Sequence, residues 1–202
     1  MAFIISADDI KITLAGYQPK AAEKFHVASA KQADHIYVEA IKTRVEPTVI
    51  LMSGGSASGK SEYVSAYLKN ESAIVFDGTL PTLLGATIKI QRAKKANKVI
   101  EIHAVLPKSL VVAFAAFLNR DRKFPAEHFF RTHCGARRTL LEITHALPTV
   151  MIKIVVSDVD FVSAGATMTF RALSFRNRLD LIEFLERSQY TEEAMKALVF
   201  QS

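Results

Sequence analysis

The stretch VILMSGGSASGKSEYV, residues 49–64, is the part of the sequence that decides the fold. It begins with four apolar residues, passes through small residues and becomes polar at a lysine and a serine. Residues 54–61 match the pattern G-x-x-x-x-G-K-[ST] at every required position. A hydrophobic strand pattern precedes them and a helical pattern follows. This order predicts a phosphate-binding loop between a buried strand and a helix.

Each residue type in this loop has a chemical reason to be there. Gly54 and Gly59 allow backbone angles and close approaches that a side chain would block. The amides between them can then point at phosphate oxygens, beside the positive end of the next helix. Lys60 would reach the β- and γ-phosphates, and the Ser61 hydroxyl would coordinate Mg²⁺. We therefore expect a nucleoside triphosphate and Mg²⁺ to bind at Gly54, Gly55, Ser56, Ala57, Ser58, Gly59, Lys60 and Ser61.

The composition is that of a globular protein with a sizeable core. Of 202 residues, 50% are hydrophobic and 23% are charged. The first residues lack the pattern of a secretory signal, and no apolar run approaches the ~20 residues that a membrane span needs. Cys134 is the only cysteine, so no intramolecular disulfide can form and a reducing cytoplasm fits best. The net charge of +6 favours anionic partners.

Four patterns of nearly continuous apolar residues, including the one before the glycine loop, predict strands that are covered on both faces. They are residues 48–53, 73–76, 99–106 and 150–156. Helical patterns alternate with them, at residues 61–69, 83–96, 110–119 and 127–144. Such alternation predicts an α/β fold with a mainly parallel sheet. With the glycine loop, it indicates the three-layer α/β/α sandwich of P-loop nucleotide-binding proteins.

Helical patterns also occupy both ends of the chain. Residues 20–42 carry an apolar stripe at spacings of three and four, with Pro19 at the first turn. Residues 175–200 predict a pair of short helices, the second capped by Thr191. We therefore expect an N-terminal helical segment (1–46), a P-loop core (47–160) and a C-terminal helical segment (161–202). A basic lid is expected at about residues 119–140 of the core.

An acidic residue is expected to complete the site. No Asn-Lys-x-Asp motif for reading a guanine base is present. Asp77 ends the strand pattern AIVFDGTL, next to the strand that carries the glycine loop. At the carboxyl edge of a parallel sheet, its carboxylate could accept a proton from an attacking hydroxyl or help to hold Mg²⁺. Asp158, after the last core strand, is a weaker candidate.

Four pieces together resemble the zeta-toxin family of P-loop kinases, in particular its members with a D-G-T-L strand end. They are GGSASGKS, VFDGTL, VIEIHAVLPKSLVVAF and NRDRKFPAEHFFRTH, and the resemblance covers residues 48 to about 156. It implies transfer of the ATP γ-phosphate to a hydroxyl of a UDP-amino sugar. It also implies that Asp77 is the base and that Arg122, three residues before Pro125, is a lid arginine. The second lid arginine is Arg131 or Arg120.

Three functions are compatible with these patterns. The first is an ATP-dependent kinase that acts on a small hydroxyl-bearing molecule. The second is a non-catalytic nucleotide-binding protein that docks a partner such as an antitoxin. The third is a polynucleotide-type kinase, which is disfavoured because the basic segment lacks interleaved aromatic residues for base stacking. No membrane partner is expected.

The remaining polar residues favour structural roles. Glu101 and His103 share one face of a strand, and we expect them to satisfy each other in the core or at its flank. His128 and His133 are spaced poorly for a shared metal and are expected on the lid surface. Cys134 has basic neighbours, but we expect it to be inert packing.

Overall fold

The computed structural model describes residues 1–162 and 165–201, which form an α/β fold around one sheet. The strands are β1 (Phe3–Ser6), β2 (Thr48–Ser53), β3 (Ala73–Asp77), β4 (Val99–Pro107), β5 (Met151–Val162) and β6 (Gly165–Ala172). Their order in the sheet is β1-β3-β2-β4-β5-β6. All pairs are parallel except β5 with β6, so the predicted, mainly parallel α/β architecture is confirmed.

Helices connect these strands and cover them. They are α1 (Ala7–Ile12), α2 (His26–Thr43), α3 (Lys60–Tyr63), α4 (Leu83–Lys95), α5 (Leu110–Asn119), α6 (Ala126–Ala146), α7 (Arg178–Arg187) and α8 (Glu192–Phe200). A 3₁₀ segment, Pro19–Phe25, precedes α2, and a π-helical turn, Val64–Leu68, continues α3. Within the described residues, no helix combines the length and the apolar character needed to cross a membrane.

Strand β2 shows why the apolar runs are continuous. Val49 and Leu51 pack on one face of the sheet, in the core that α2, α4 and α6 share. Ile50 and Met52 point to the opposite face and pack against residues of α3 and its π-helical continuation. Both faces of the strand are therefore buried, as the unbroken apolar pattern predicts.

The two edge strands correct the expected organisation of the chain ends. We expected segments 1–46 and 161–202 to be helical, but each adds a strand to the sheet. β1 pairs with β3, from Phe3 opposite Ile74 to Ser6 opposite Asp77, and β6 pairs with β5. An edge strand is partly exposed, as Ile4 is at 39%. The apolar run within β1 is short, Phe3–Ile5, and polar and apolar residues alternate along β6, so neither strand was recognised from the sequence. Residues 163, 164 and 202 of the C-terminal segment lie outside the described residues.

The single helix predicted at residues 20–42 is two elements in the structure. Pro19 begins a 3₁₀ segment in which Ala21 departs from helical backbone angles, and α2 starts only at His26. The C-terminal pair of helices is confirmed as α7 and α8. Thr191 caps α8 as predicted, because its hydroxyl accepts a hydrogen bond from the Ala194 amide at 3.1 Å.

Arg178 joins α7 to the end of α6. The last carbonyls of a helix lack partners within it. The Arg178 guanidinium donates to the Thr144 carbonyl at 2.6 and 2.9 Å, and to the Leu147 and Pro148 carbonyls at 3.0 Å each. A single side chain thus satisfies the C-terminal end of the longest helix and fixes the position of the C-terminal helical pair.

We predict that Arg178→Ala lowers the free energy of unfolding by about 1–3 kcal/mol, because hydrogen bonds from a charged donor are lost and partly buried carbonyls are left unpaired. Urea denaturation of both proteins measures the difference. Arg176→Ala is the matched control, since Arg176 is exposed and, among the residues that the structure describes, forms an ion pair with Asp180 alone. The control is expected to change the free energy by less than about 0.5 kcal/mol. Equal effects of the two variants would contradict the role of Arg178.

Candidate nucleotide site

The predicted phosphate-binding loop lies between β2 and α3. Its backbone turns sharply, with positive φ angles at Gly54 (136°), Ala57 (59°) and Gly59 (87°). Gly59 directly precedes α3, and a Cβ at this position would overlap the Met168 sulfur of β6. The glycine is thus required both by its left-handed backbone and by the close approach of β6. Met168 was not anticipated as a neighbour because β6 was not predicted.

Lys60 lies folded across this loop. Its Nζ atom donates hydrogen bonds to the Gly54 carbonyl at 2.9 Å and to the Gly55 carbonyl at 2.7 Å. Burial lowers the pKa of the Lys60 ammonium, and the nearby Asp77 carboxylate acts in the opposite direction. A buried cation held by the loop carbonyls is suited to meet a polyanion at this place.

Ser61 and Asp77 come together as predicted. The Ser61 hydroxyl donates to the Asp77 Oδ2 atom at 2.7 Å. Burial raises the pKa of the Asp77 carboxyl, while the Lys60 ammonium and the Ser61 hydrogen bond lower it. Two adjacent oxygen ligands fit Mg²⁺, which takes few protein ligands and completes its shell with phosphate oxygens and water. The pair can therefore hold the ion that we expected there.

The loop, the lid and the N-terminal segment enclose a cavity of about 270 Å³. The loop contributes residues 56–61, and Asp77, Gly78 and Thr79 follow from the end of β3. The other charged and aromatic residues of the wall are Asp8, Lys11, His26, Glu62, Arg120, Arg122, Phe124 and His128. Most of the charged side chains expected to act on a phosphate are thus gathered around one space.

Of the three arginines expected as lid residues, Arg120 and Arg122 line the cavity and Arg131 does not. Arg122 lines the cavity and forms an ion pair with Asp8 at 2.5 Å. Arg120 also lines it, and its guanidinium lies 4.8 Å from the Phe117 ring centroid. Its buried Nε atom has no hydrogen-bond partner among the described residues. Arg131 is exposed outside the cavity wall, within 3.4 Å of His128.

The N-terminal segment contributes residues that sequence reasoning missed. Because Ser6 of β1 pairs with Asp77 of β3, α1 begins at the same edge of the sheet as the loop. Ser6 caps α1, and Asp8 in the first turn binds the buried Lys11 at 2.9 Å. The signal was present in the sequence FIISADD, an apolar strand followed by a serine cap and two acids.

The polar residues that were expected to have structural roles, and the weaker candidate Asp158, lie away from the main cavity. Glu101 and His103 bind each other at 3.0 Å, as predicted, and the Tyr63 hydroxyl lies 3.3 Å from the second nitrogen of His103. Cys134 is buried, and burial raises the pKa of its thiol. Asp158 pairs with Lys108 beside a smaller hollow of about 30 Å³. None of these residues lines the main cavity.

His128 and His133 of α6 were expected on the surface of the lid, and the structure shows that neither is exposed there. His128 is half-buried and lines the cavity, where it stacks on Phe124 with ring centroids 4.5 Å apart. His133 is fully buried and reaches the glycine loop from below. Its role was not visible in the sequence because it depends on how α6 lies against a loop about 75 residues earlier.

Comparisons with known proteins leave the function to be argued from this site. No family model matches the chain. No curated protein matches it either. Among solved structures, the chain is similar to three crystal structures of AvrRxo1-ORF1:AvrRxo1-ORF2. One, with sulphate ions, is 12% identical, with 87% of this chain and 88% of that chain covered and a TM-score of 0.45. A native complex is 11% identical, with 87% of this chain and 84% of that chain covered and a TM-score of 0.47. A complex with ATP is 12% identical, with 89% of this chain and 85% of that chain covered and a TM-score of 0.46.

We predict that the folded protein loses stability as the pH falls from about 6.5 to about 4. Burial, reinforced by cations such as Lys11 and Arg131, lowers the pKa of His26 and lowers that of His128 to about 4. Between these pH values the unfolded chain binds protons that the folded chain does not, so stability rises with pH. Urea denaturation across this range measures the slope.

The variant His128→Phe keeps a ring against Phe124 and removes one of these imidazoles. We expect it to reduce the slope of the free energy of unfolding against pH, by an amount that corresponds to at most one bound proton. An unchanged slope would show that His128 does not contribute to the acid sensitivity.

Proposed function

We propose that this protein binds ATP with Mg²⁺ and transfers the γ-phosphoryl group to a hydroxyl of a small molecule. The observation that carries this proposal is the hydrogen bond between Ser61 and Asp77. It joins the residue that ends the phosphate-binding loop to a carboxylate at the edge of the sheet. Across the same cavity lie the two lid arginines, Arg120 and Arg122.

Residues of the cavity have separate roles in the proposed phosphoryl transfer. The acceptor oxygen attacks the γ-phosphorus, the bond from that phosphorus to the bridging oxygen of ADP breaks, and the acceptor proton passes to the Asp77 carboxylate. Asp77 lines the cavity and its Oδ2 atom accepts from Ser61, which leaves its Oδ1 atom for the acceptor proton. Mg²⁺, held by Ser61 and Asp77, would neutralise charge on the phosphates.

Two cations are placed to stabilise the charge of the transferred group. Lys60 lies at the loop, and Arg120 lies at the lid without a carboxylate within ion-pair distance among the described residues. The planar guanidinium can meet two phosphate oxygens at once. Because both cations are largely withdrawn from water, their interaction with phosphate is stronger than that of an exposed pair.

The acceptor is proposed as a UDP-amino sugar on the resemblance to zeta toxins. The wall beyond Asp77, built by Asp8, Lys11, His26 and Phe124, is where the acceptor would lie. This side of the cavity offers both a cation and aromatic rings. Lys11 lies 4.9 Å from the Phe124 ring centroid, so the two groups form one continuous surface.

We predict that the purified protein releases ADP from ATP and Mg²⁺, and that UDP-N-acetylglucosamine accelerates this release. Lys60→Ala is expected to abolish turnover. Asp77→Asn is expected to lower it by about 10²- to 10⁴-fold while ATP still binds, because the proton acceptor is lost but the loop remains. Full turnover by Asp77→Asn would show that this carboxylate is not the base.

We also predict that the two candidate lid arginines differ. Arg120→Ala should lower the rate of phosphoryl transfer by about 10²-fold or more, since an arginine that stabilises transferred charge contributes at least this much. Arg131→Ala is the matched control on the same lid and should stay within about twofold, because its side chain is exposed outside the cavity. Steady-state kinetics of ADP release compare them. An equal loss in both variants would contradict the assignment of Arg120.

A further inference from the structure

Helix α6 supports the phosphate-binding loop from beneath. The ring of His133, which is fully buried, lies directly against Gly55. A Cβ at Gly55 would overlap this ring, so the glycine is needed for the close approach. The contact is made by the second turn of the helix, beyond the segment 120–125 that precedes its first turn. The loop is therefore packed on a rigid element.

Both backbone polar groups of Ser56 bond to this helix. The Ser56 amide donates to the Thr132 hydroxyl oxygen at 3.1 Å. The Ser56 carbonyl lies 2.9 Å from the Nε2 atom of His133. Buried backbone groups of an irregular loop need such partners, and here two consecutive residues of α6 supply them.

Arg137 determines which nitrogen of His133 carries the proton. The Arg137 Nη1 atom lies 3.2 Å from the Nδ1 atom of His133 and 3.3 Å from the His133 carbonyl oxygen. A guanidinium only donates hydrogen bonds, so Nδ1 must accept and Nε2 must carry the hydrogen. Nε2 then donates to the Ser56 carbonyl. Burial and the Arg137 cation both lower the pKa of His133, which keeps the ring neutral.

The direction of the Ser56 carbonyl fixes that of the next amide. A peptide unit is planar, and its carbonyl and N–H point in opposite directions. When His133 holds the Ser56 carbonyl, the Ala57 N–H points away from the ring, and Ala57 lines the cavity. The same logic applies to Gly59, because the Ser157 hydroxyl donates to the Ser58 carbonyl at 2.8 Å. Inward-pointing amides are what a phosphate needs.

We propose that His133, held in one tautomer by Arg137, is a positioning residue that orients the Ala57 amide toward a bound phosphate group. This inference rests on the proposed function, since it requires the loop to bind a polyphosphate. It adds a device that the loop motif does not contain. The motif supplies the amides, and the buried pair on α6 sets the direction of the Ala57 amide.

The affinity of the loop for polyphosphate tests this proposal. His133→Phe keeps the ring against Gly55 and removes the donor to Ser56. We expect the dissociation constants of ATP and of tripolyphosphate to rise together by about five- to tenfold, the loss typical of one hydrogen bond. His145→Phe, an exposed histidine on the same helix, is the control and should leave both constants unchanged. Isothermal titration calorimetry measures all of them.

The tautomer gives a second readout, which a merely structural role would not move. In the wild-type protein, nitrogen NMR of the imidazole should show the His133 proton on Nε2. Arg137→Lys keeps a donor and should preserve this state. Arg137→Met removes the donor to Nδ1, so that only the Ser56 carbonyl still favours a proton on Nε2. We expect a population with the proton on Nδ1 to appear, and tripolyphosphate binding to weaken by a smaller factor than in His133→Phe.

The outcomes separate this inference from the proposed function. A wild-type protein that binds neither ATP nor tripolyphosphate would overturn both. A wild-type protein that binds them, with unchanged affinity in His133→Phe, would overturn the role of His133 alone. A proton on Nδ1 of His133 in the wild-type protein would overturn it as well, even if His133→Phe is too unstable to study.

Discussion

The parallel pairing of β2 with β3 is the constraint on which the site depends. Parallel neighbours end at the same edge of a sheet, so the loop that follows β2 and the carboxylate that ends β3 must meet. The hydrogen bond between Ser61 and Asp77 is the direct result. β1 joins the same edge by pairing with β3 and brings Asp8 to the cavity. Three adjacent strands of the sheet, β1, β3 and β2, therefore bring Asp8, Asp77 and Lys60 to the same edge.

The charges of the cavity are arranged so that some are already neutralised. Asp8 binds both Lys11 and Arg122, and the paired cations hold its pKa below its ordinary value although burial acts against them. Arg120 contacts the ring of Phe117 instead of a carboxylate. A polyanion entering the cavity therefore meets Arg120 and Lys60 without first having to break an ion pair. This difference distinguishes the two lid arginines more clearly than their spacing in the sequence does.

The sequence was sufficient for the features that local pattern controls. The glycine loop, the four buried strands of the core and the position of Asp77 each depend on a run of neighbouring residues, and each was predicted. β1 was missed because its apolar run, Phe3–Ile5, is short, and β6 was missed because polar and apolar residues alternate along it, as is usual for a partly exposed edge strand. The sequence left Arg131 and Arg120 as alternatives, because the spacing of a basic segment does not reveal which side chains turn inward. His133 was misplaced for a similar reason, since its partner Ser56 is remote in sequence.

Helix α6 links parts of the site that the sequence keeps apart. Its second turn is bonded to the loop through Thr132 and His133, and its end is held by Arg178. The helix therefore cannot shift as a body without breaking buried hydrogen bonds at the loop. Arg120 and Arg122 lie in the short segment between α5 and α6. The helix that begins directly after these arginines is therefore the element that holds the loop in its geometry.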